Sequence, residues 1–329
     1  MISDESVGPF IRNATAPQIV SILGAMRAIA EAGRGSTKAD EDALTGAAHY
    51  MFGYDGQLGV GVVPSISPAA LAAALDGSTL PEDSIKFITV MAVIDGRIDE
   101  AKLALVLQYA QSLGIHERYL REIADAAHQR LQEALADMTQ ANTASILNRP
   151  WAGGDIEAWL LPYQKSAADT ALVRRFENLG QLDSATFGHA FWKHFKKNSY
   201  AFPGEQQGLN AVFSVPHDSV HVLTGYTTSG RGEILVSTFT ASMHRDYPMA
   251  GHVLPAIFSW HLKVQINPVA KSAPGSLDPV EVWRAWTAGA QASVDTFAPD
   301  WDFWAHVARP LGALREDWSI PSAGLEATP

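Results

Sequence analysis

An all-α fold is predicted by three features of this 329-residue chain. Apolar residues recur at helical spacing, as in Ile19, Ile22, Leu23, Met26 and Ile29, which lays one stripe along a helix. Helix punctuation is frequent. Ser67-Pro68 joins an N-cap serine to a proline at the first helical position, and Asp99 and Gly114 bracket an amphipathic run. Few segments alternate with the period of two that marks a half-buried strand. Residues 210–215 and 225–237 hold some β-formers, but their context reads as helix-turn-helix.

Taken in order, residues 1–145 predict a bundle of roughly five to seven helices. The first covers 18–32 and the second 40–52, followed by a Gly-rich loop at 53–64. A helix from Pro68 stops before Asp76-Gly77, and another opens at Pro81 and ends at Asp95-Gly96. Asp99 caps the next, whose face carries Leu103, Val106, Leu107, Ala110 and Leu113. A single helix over 116–138 carries Leu120, Ile123, Ala127, Leu131 and Leu135. Residues 139–154 are polar, then Pro- and Gly-bearing, and fit a linker. They separate a domain at 1–145 from one at 146–320, and the tail 321–329 reads as disordered. Helices are expected over 156–173, 185–197, 252–266 and 279–297 of the second domain.

Composition bounds the function. The chain is 47% hydrophobic and 18% charged, which fits a sizeable core. Net charge is −11 with pI near 5.4, which argues against nucleic acid and against strong attraction to anionic lipid. There is no cysteine, so a transition metal must be held by His, Asp or Glu. The acidic start Met1-Ile2-Ser3-Asp4-Glu5-Ser6 lacks a positive n-region and an apolar core, and no apolar run reaches spanning length. The expected location is cytoplasmic, peripheral on the inner face of a membrane at most. The helix over 185–197 sets Phe187, Phe191, Trp192 and Phe195 beside Lys193, His194, Lys196 and Lys197. It fits either membrane or headgroup contact or a core-facing aromatic stripe with a solvated basic edge, and the second is favoured because most amphipathic helices face their own core. The Trp-rich C-terminal helices fit either a homo-oligomer face or the core.

The chemistry concentrates in His217-Asp218-Ser219-Val220-His221 and Glu233, in shorthand H-D-x-x-H-x11-E. Pro216 fits the edge of a helix start. On a helix over 217–226, His217 and His221 sit at i and i+4, so both imidazoles reach one metal ion, the geometry of the H-E-x-x-H zinc helix. Asp218 points roughly 100° around the axis and can serve as ligand, base or partner of a ligand. Gly225, Gly230 and Gly232 suit a turn, after which Glu233 opens a second helix and brings a carboxylate. The bland alternative makes Asp218 a cap, the histidines solvated, and Glu233 a helix-start acid. The other histidines, among them His189, His194, His244, His252, His261 and His306, show no selective spacing.

The stretch His217–Glu233 resembles the coenzyme Q (ubiquinone) biosynthesis family usually called number four, whose hallmark is this metal motif. The resemblance extends to Asn198-Ser199-Tyr200-Ala201-Phe202-Pro203-Gly204, to His221-Val222-Leu223-Thr224-Gly225-Tyr226, to Trp283-Arg284-Ala285-Trp286 with Gly289, and to Arg309-Pro310-Leu311 through Leu314-Arg315. It covers roughly residues 150–320. It implies an α-helical domain that holds a metal through His217, Asp218, His221 and Glu233, with an apolar channel for prenyl lipid. The implied role is oxidative removal of the carboxyl at ring C1 of a prenylated quinone precursor, with other quinone-biosynthesis enzymes as partners.

Upstream, Met91-Ala92-Val93-Ile94-Asp95-Gly96-Arg97-Ile98-Asp99-Glu100 is similar to the tellurite-resistance TerB-like pattern, in which an apolar helix ends in Ala-Asp-Gly before an acidic helix start. Ala32-Gly33-Arg34-Gly35 through Asp40-Glu41 reads as a second, degenerate copy. The resemblance implies metal binding by Asp95 and Asp99, whereas turn and cap chemistry alone accounts for both residues and is the favoured reading.

Two His and a carboxylate match catalytic zinc sites and also the two-His-one-carboxylate set of non-haem iron. Zinc is the expected divalent ion, with iron or manganese as alternatives. Three roles follow: an oxidative decarboxylase with Asp218 moving a proton, a non-catalytic prenyl-lipid-binding scaffold for quinone-biosynthesis enzymes, and a metal-dependent hydrolase. The hydrolase is weakest, because Asp is one methylene shorter than the Glu base of H-E-x-x-H sites.

Overall fold

A computed structural model describes residues 14–53, 62–244, 246–262, 264 and 276–321. The fold is all-α, 64% helical, with no strand or sheet among the described residues. The start of the chain, most of the expected loop at 53–64, the end of the helix expected over 252–266 and the tail 322–329 lie outside them.

The first half forms α1 (Ala16–Glu31), α2 (Lys38–Gly46), α3 (Pro68–Leu75), α4 (Pro81–Met91), α5 (Glu100–Leu113), α6 (Arg118–Ala127) and α7 (Leu131–Leu147). Three boundaries differ from expectation. α4 stops at Met91, four residues early, because 92–96 fold into tight turns bonded three residues back, with Val93 and Ile94 buried. The helix expected over 116–138 is broken at 128–130, where Gln129 takes φ +60 and the Arg130 backbone and side chain both bond Asp125. The expected linker is helical as far as Leu147. Its polar residues are small and packed: Asn142 donates to the Gly251 carbonyl at 2.6 Å and Ser145 to the Asp246 carbonyl at 2.6 Å.

The second half comprises α8 (Ile156–Leu160), α9 (Thr170–Glu177), α10 (Phe187–Asn198), α11 (Ala211–Thr224), α12 (Gly230–Met243), α13 (Leu254–Trp260), α14 (Glu281–Gln291), α15 (Phe303–His306) and α16 (Leu311–Asp317). The helix expected over 156–173 is two, interrupted at Pro162 and restarted by Asp169, whose carboxylate caps the amides of Ala171 and Leu172. α13 is preceded by a π-helical turn at Pro248–Val253.

Two apolar cores hold these helices, and neither follows the order of the chain. The first joins α1–α7 to Ile234 of α12, Leu254, Ile257 and Phe258 of α13, and Trp283 and Trp286 of α14. Phe87 sits at its centre, edge-on to Phe52, Trp283 and Trp286 at 5.8–6.4 Å between ring centroids, a favourable aromatic geometry. The second is a phenylalanine cluster in which Phe187, Phe191 and Phe195 of α10 meet Phe176, Phe202 and Phe303. The aromatic stripe of α10 therefore faces the core, while Lys193, Lys196 and Lys197 are exposed. α12 and α14 contribute to both cores and cross closely. A Cβ on Gly289 would lie 2.1 Å from the Phe239 carbonyl oxygen, so only glycine permits that approach.

The turn at 92–99 is built around an internal ion triad. Lys102, 1% exposed, reaches Asp40 at 2.8 Å and Asp95 at 2.9 Å. Asp95 also accepts from the Arg97 amide, and Asp99 caps α5 through the amides of Ala101 and Lys102. Turn and cap chemistry thus occupies both aspartates, and the cation against Asp95 is the lysine.

Candidate metal centre

α11 is capped by Asn210, whose side chain accepts from the Val212 amide, and begins at Ala211, six residues before His217 rather than at it. Pro216 is inside the helix, not at its edge. The carbonyl it leaves without an i+4 donor is that of Val212 in the first turn, a residue 50% exposed, where water can satisfy it. Ser219 and Thr224 return their hydroxyls to carbonyls four residues back. The helix ends at Gly225, and Arg315 of α16 donates to the terminal carbonyls of Leu223 and Val222 at 2.7 and 3.0 Å. Arg315 thereby ties the end of the histidine helix to the C-terminal segment.

The turn to α12 is closed by Ser229, which caps the Gly232 amide at 3.2 Å. A Cβ at Gly232 would fall 1.7 Å from the Thr227 carbonyl oxygen. Its absence lets the first turn of α12 fold onto the end of α11 and swing Glu233 back, as the spacing predicts. His217 Nε2 and His221 Nε2 are 3.3 Å apart, and Glu233 places Oε2 3.3 Å from the first and Oε1 3.5 Å from the second. One donor atom from each of the three lies within 4.8 Å of the others.

The donor set fits a divalent ion. His221 Nδ1 is 3.0 Å from the Tyr226 carbonyl, which can only accept. That assigns one proton to Nδ1 and turns Nε2 toward Glu233, the arrangement that orients histidine ligands. His221 is fully buried, His217 and Glu233 partly so. Burial alone would lower the His221 pKa, but the charge and hydrogen bond of Glu233, then the charge of Asp218, override it and raise it to about 8. Burial works equally to raise the Glu233 pKa, but the two imidazoles pull it well below the usual carboxylate range. Without metal this is a proton-sharing carboxylate–imidazole group. Its acceptor atoms already converge.

Asp218 does not enter that group. Its Oδ1 is 2.9 Å from Nε2 of His194 on α10. His194 also stacks on His221, with ring centroids 5.3 Å apart. Asn198 donates to the His194 carbonyl at 2.9 Å and accepts from Thr228 at 3.1 Å, continuing the network to the α11–α12 turn. The sequence separates His194 from Asp218 by 24 residues, so spacing could not select it. The relevant signal was the position of His194 on the polar side of the aromatic stripe. Three other histidines serve elsewhere: His244 pairs with Asp295, His252 with Ser145, and His261 with the Ile94 carbonyl. Among the described residues, only His217, His221 and Glu233 form a metal-competent cluster of three or more such side chains.

A cavity of about 260 Å³ borders His221 and His194. No helix among the described residues is long and apolar enough to cross a membrane. Comparison with known proteins returns no matching family model, no matching curated protein and no matching solved structure.

Proposed function

We propose that this chain is a metal-dependent protein of ubiquinone or prenylquinone biosynthesis that carries out oxidative decarboxylation at ring C1 of a prenylated benzoate precursor. The observation that carries the reading is the convergence of His217, His221 and Glu233 from two helices, in the spacing of the family the chain resembles. These three residues would hold an ion with fewer protein ligands than the four of a closed structural zinc site, as catalytic sites do. Bound there, a divalent ion supplies Lewis-acid polarisation of the ring carboxylate or an adjacent hydroxyl, and iron or manganese supplies electron exchange as well. Asp218, held by His194 through Oδ1, would orient a group or move a proton at its other oxygen. Replacing the ring carboxyl by hydroxyl releases CO2 and takes two electrons from the substrate. With dioxygen as oxidant, the two further electrons that form water come from an external reductant.

A scaffold role draws on the same group, because an ion shared by α11 and α12 pins the two helices together. A hydrolase role has less support, because Asp218 is one methylene shorter than the Glu base of H-E-x-x-H sites.

Elemental analysis of the untagged protein, beside a variant with His217, His221 and Glu233 all changed to Ala, tests the reading. About one equivalent of iron or manganese, absent from the variant, supports oxygen-linked chemistry and directs a CO2-release assay. Zinc, similarly lost, supports the site and leaves enzyme and scaffold to be separated by that assay. No metal in folded wild type after metal is added back removes the reading. Asp218→Asn is expected to keep its metal and lose CO2 release, because the aspartate stands outside the ligand cluster.

A further inference from the structure

We propose that the cavity beside His221 binds a small oxyanion, a carboxylate or phosphate group, through Lys193 and Lys197. Both lysines line it and lie one helical turn apart on α10, so their stems rise from the same face. No aspartate or glutamate borders the cavity. Its other polar side chains are largely engaged: His194 with Asp218, Asn198 with the His194 carbonyl and Thr228, Thr227 with Ser229. Neither lysine makes an ion pair among the described residues, whereas Lys38, Lys86 and Lys102 all do. Apart from the Tyr226 hydroxyl, the hydrogen-bonding capacity left over is therefore cationic.

Two unpaired ammonium groups line the cavity, and the nearest carboxylates, Asp218 and Glu233, stand behind it and are each engaged by a histidine, so the charge lining the cavity is opposite in sign to the net charge of −11. Anionic oxygens, acceptors only, are the complement to ammonium donors. Val222, Tyr226 and Leu311 also line the cavity, which suits the apolar body to which such a group is attached. His221 borders the same cavity, so the bound anion lies beside the candidate metal centre. That the anion belongs to the reacting substrate rests on the proposed function; the binding itself does not.

Isothermal titration of benzoate and of inorganic phosphate, in separate arms, into full-length protein tests the site. Each arm is run metal-loaded and after chelation, on wild type and on Lys193→Gln, Lys197→Gln and the double variant. The expected result is saturable binding in at least one arm, about tenfold weaker in the double variant and weakened by salt. Benzoate binding without phosphate binding identifies a carboxylate site, and the reverse a phosphate site. Absence of saturable binding in both arms, or undiminished binding by a double variant with unchanged circular dichroism, overturns the proposal. Binding that persists in a wild type found to hold no metal keeps the oxyanion site while the metal reading fails. A metal-loaded protein whose anion binding ignores both lysines keeps the metal reading and sinks the site.

Discussion

Glu122 on α6 is fully buried, and neither carboxylate oxygen has a hydrogen-bond partner; the nearest cation is Arg118 at 4.0 Å. Burial, only partly offset by Arg118, raises its pKa from 4.5 to about 8. Between those values the unfolded chain is ionised at this site while the folded chain keeps the proton. Stability therefore falls as pH rises through that window, by at most about 1.4 kcal/mol per pH unit, and levels off above it. Glu122→Gln should flatten this dependence and stabilise the protein at pH 8 more than at pH 5, read by urea denaturation at both. An unchanged slope would mean that Glu122 is ionised in the fold. His252 acts in the opposite direction. Burial first, then the charges of His244 and His217, lower its pKa from 6.5 to about 3. Below pH 6.5 the unfolded chain takes up a proton that the folded His252 does not, so stability falls as pH falls.

At the scale of elements, the contact between α2 and α5 depends on Lys102. Its ammonium bridges Asp40 at the start of α2 and Asp95 before α5, and Asp40 also accepts from the Thr37 amide at 2.8 Å. Lys102→Met would leave two buried carboxylates facing each other without a cation. The expected loss is about 3–5 kcal/mol, measured by chemical denaturation, and a loss below about 1 kcal/mol would show that the triad is dispensable. The two elements of the candidate site differ in how they are held. α11 is anchored at its end by Arg315, and α12 is seated at its start by Ser229 and Gly232. Glu233 is thus the candidate ligand most dependent on turn geometry.

Across the whole molecule, α12 joins the two apolar cores and also carries Glu233. A metal shared between α11 and α12 would bind the folded state and not the unfolded one. Removing it with a chelator should lower Tm by several degrees, since a ligand at a hundredfold excess over its Kd contributes about 2.7 kcal/mol. The His217/His221/Glu233 triple Ala variant should show no such response in differential scanning calorimetry. An equal response in both would place the metal elsewhere.

The sequence alone determined that the chain is helical, because apolar period and cap residues are local properties. Ser67-Pro68, Asp99 and Gly114 bound their helices as read. It also determined that His217, His221 and Glu233 meet. An i,i+4 pair shares a face by helix geometry, and a Gly-bearing turn returns the next helix. Only the tertiary structure decided the rest. The helix breaks at 128–130 and Pro162, and the helical run of polar residues 139–147, turn on packing and long-range hydrogen bonds that no local pattern encodes. The partner of Asp218 comes from another helix 24 residues away. Pairing across such a distance is set by how α10 lays Phe187, Phe191 and Phe195 into the core, which leaves His194 on the side that meets α11.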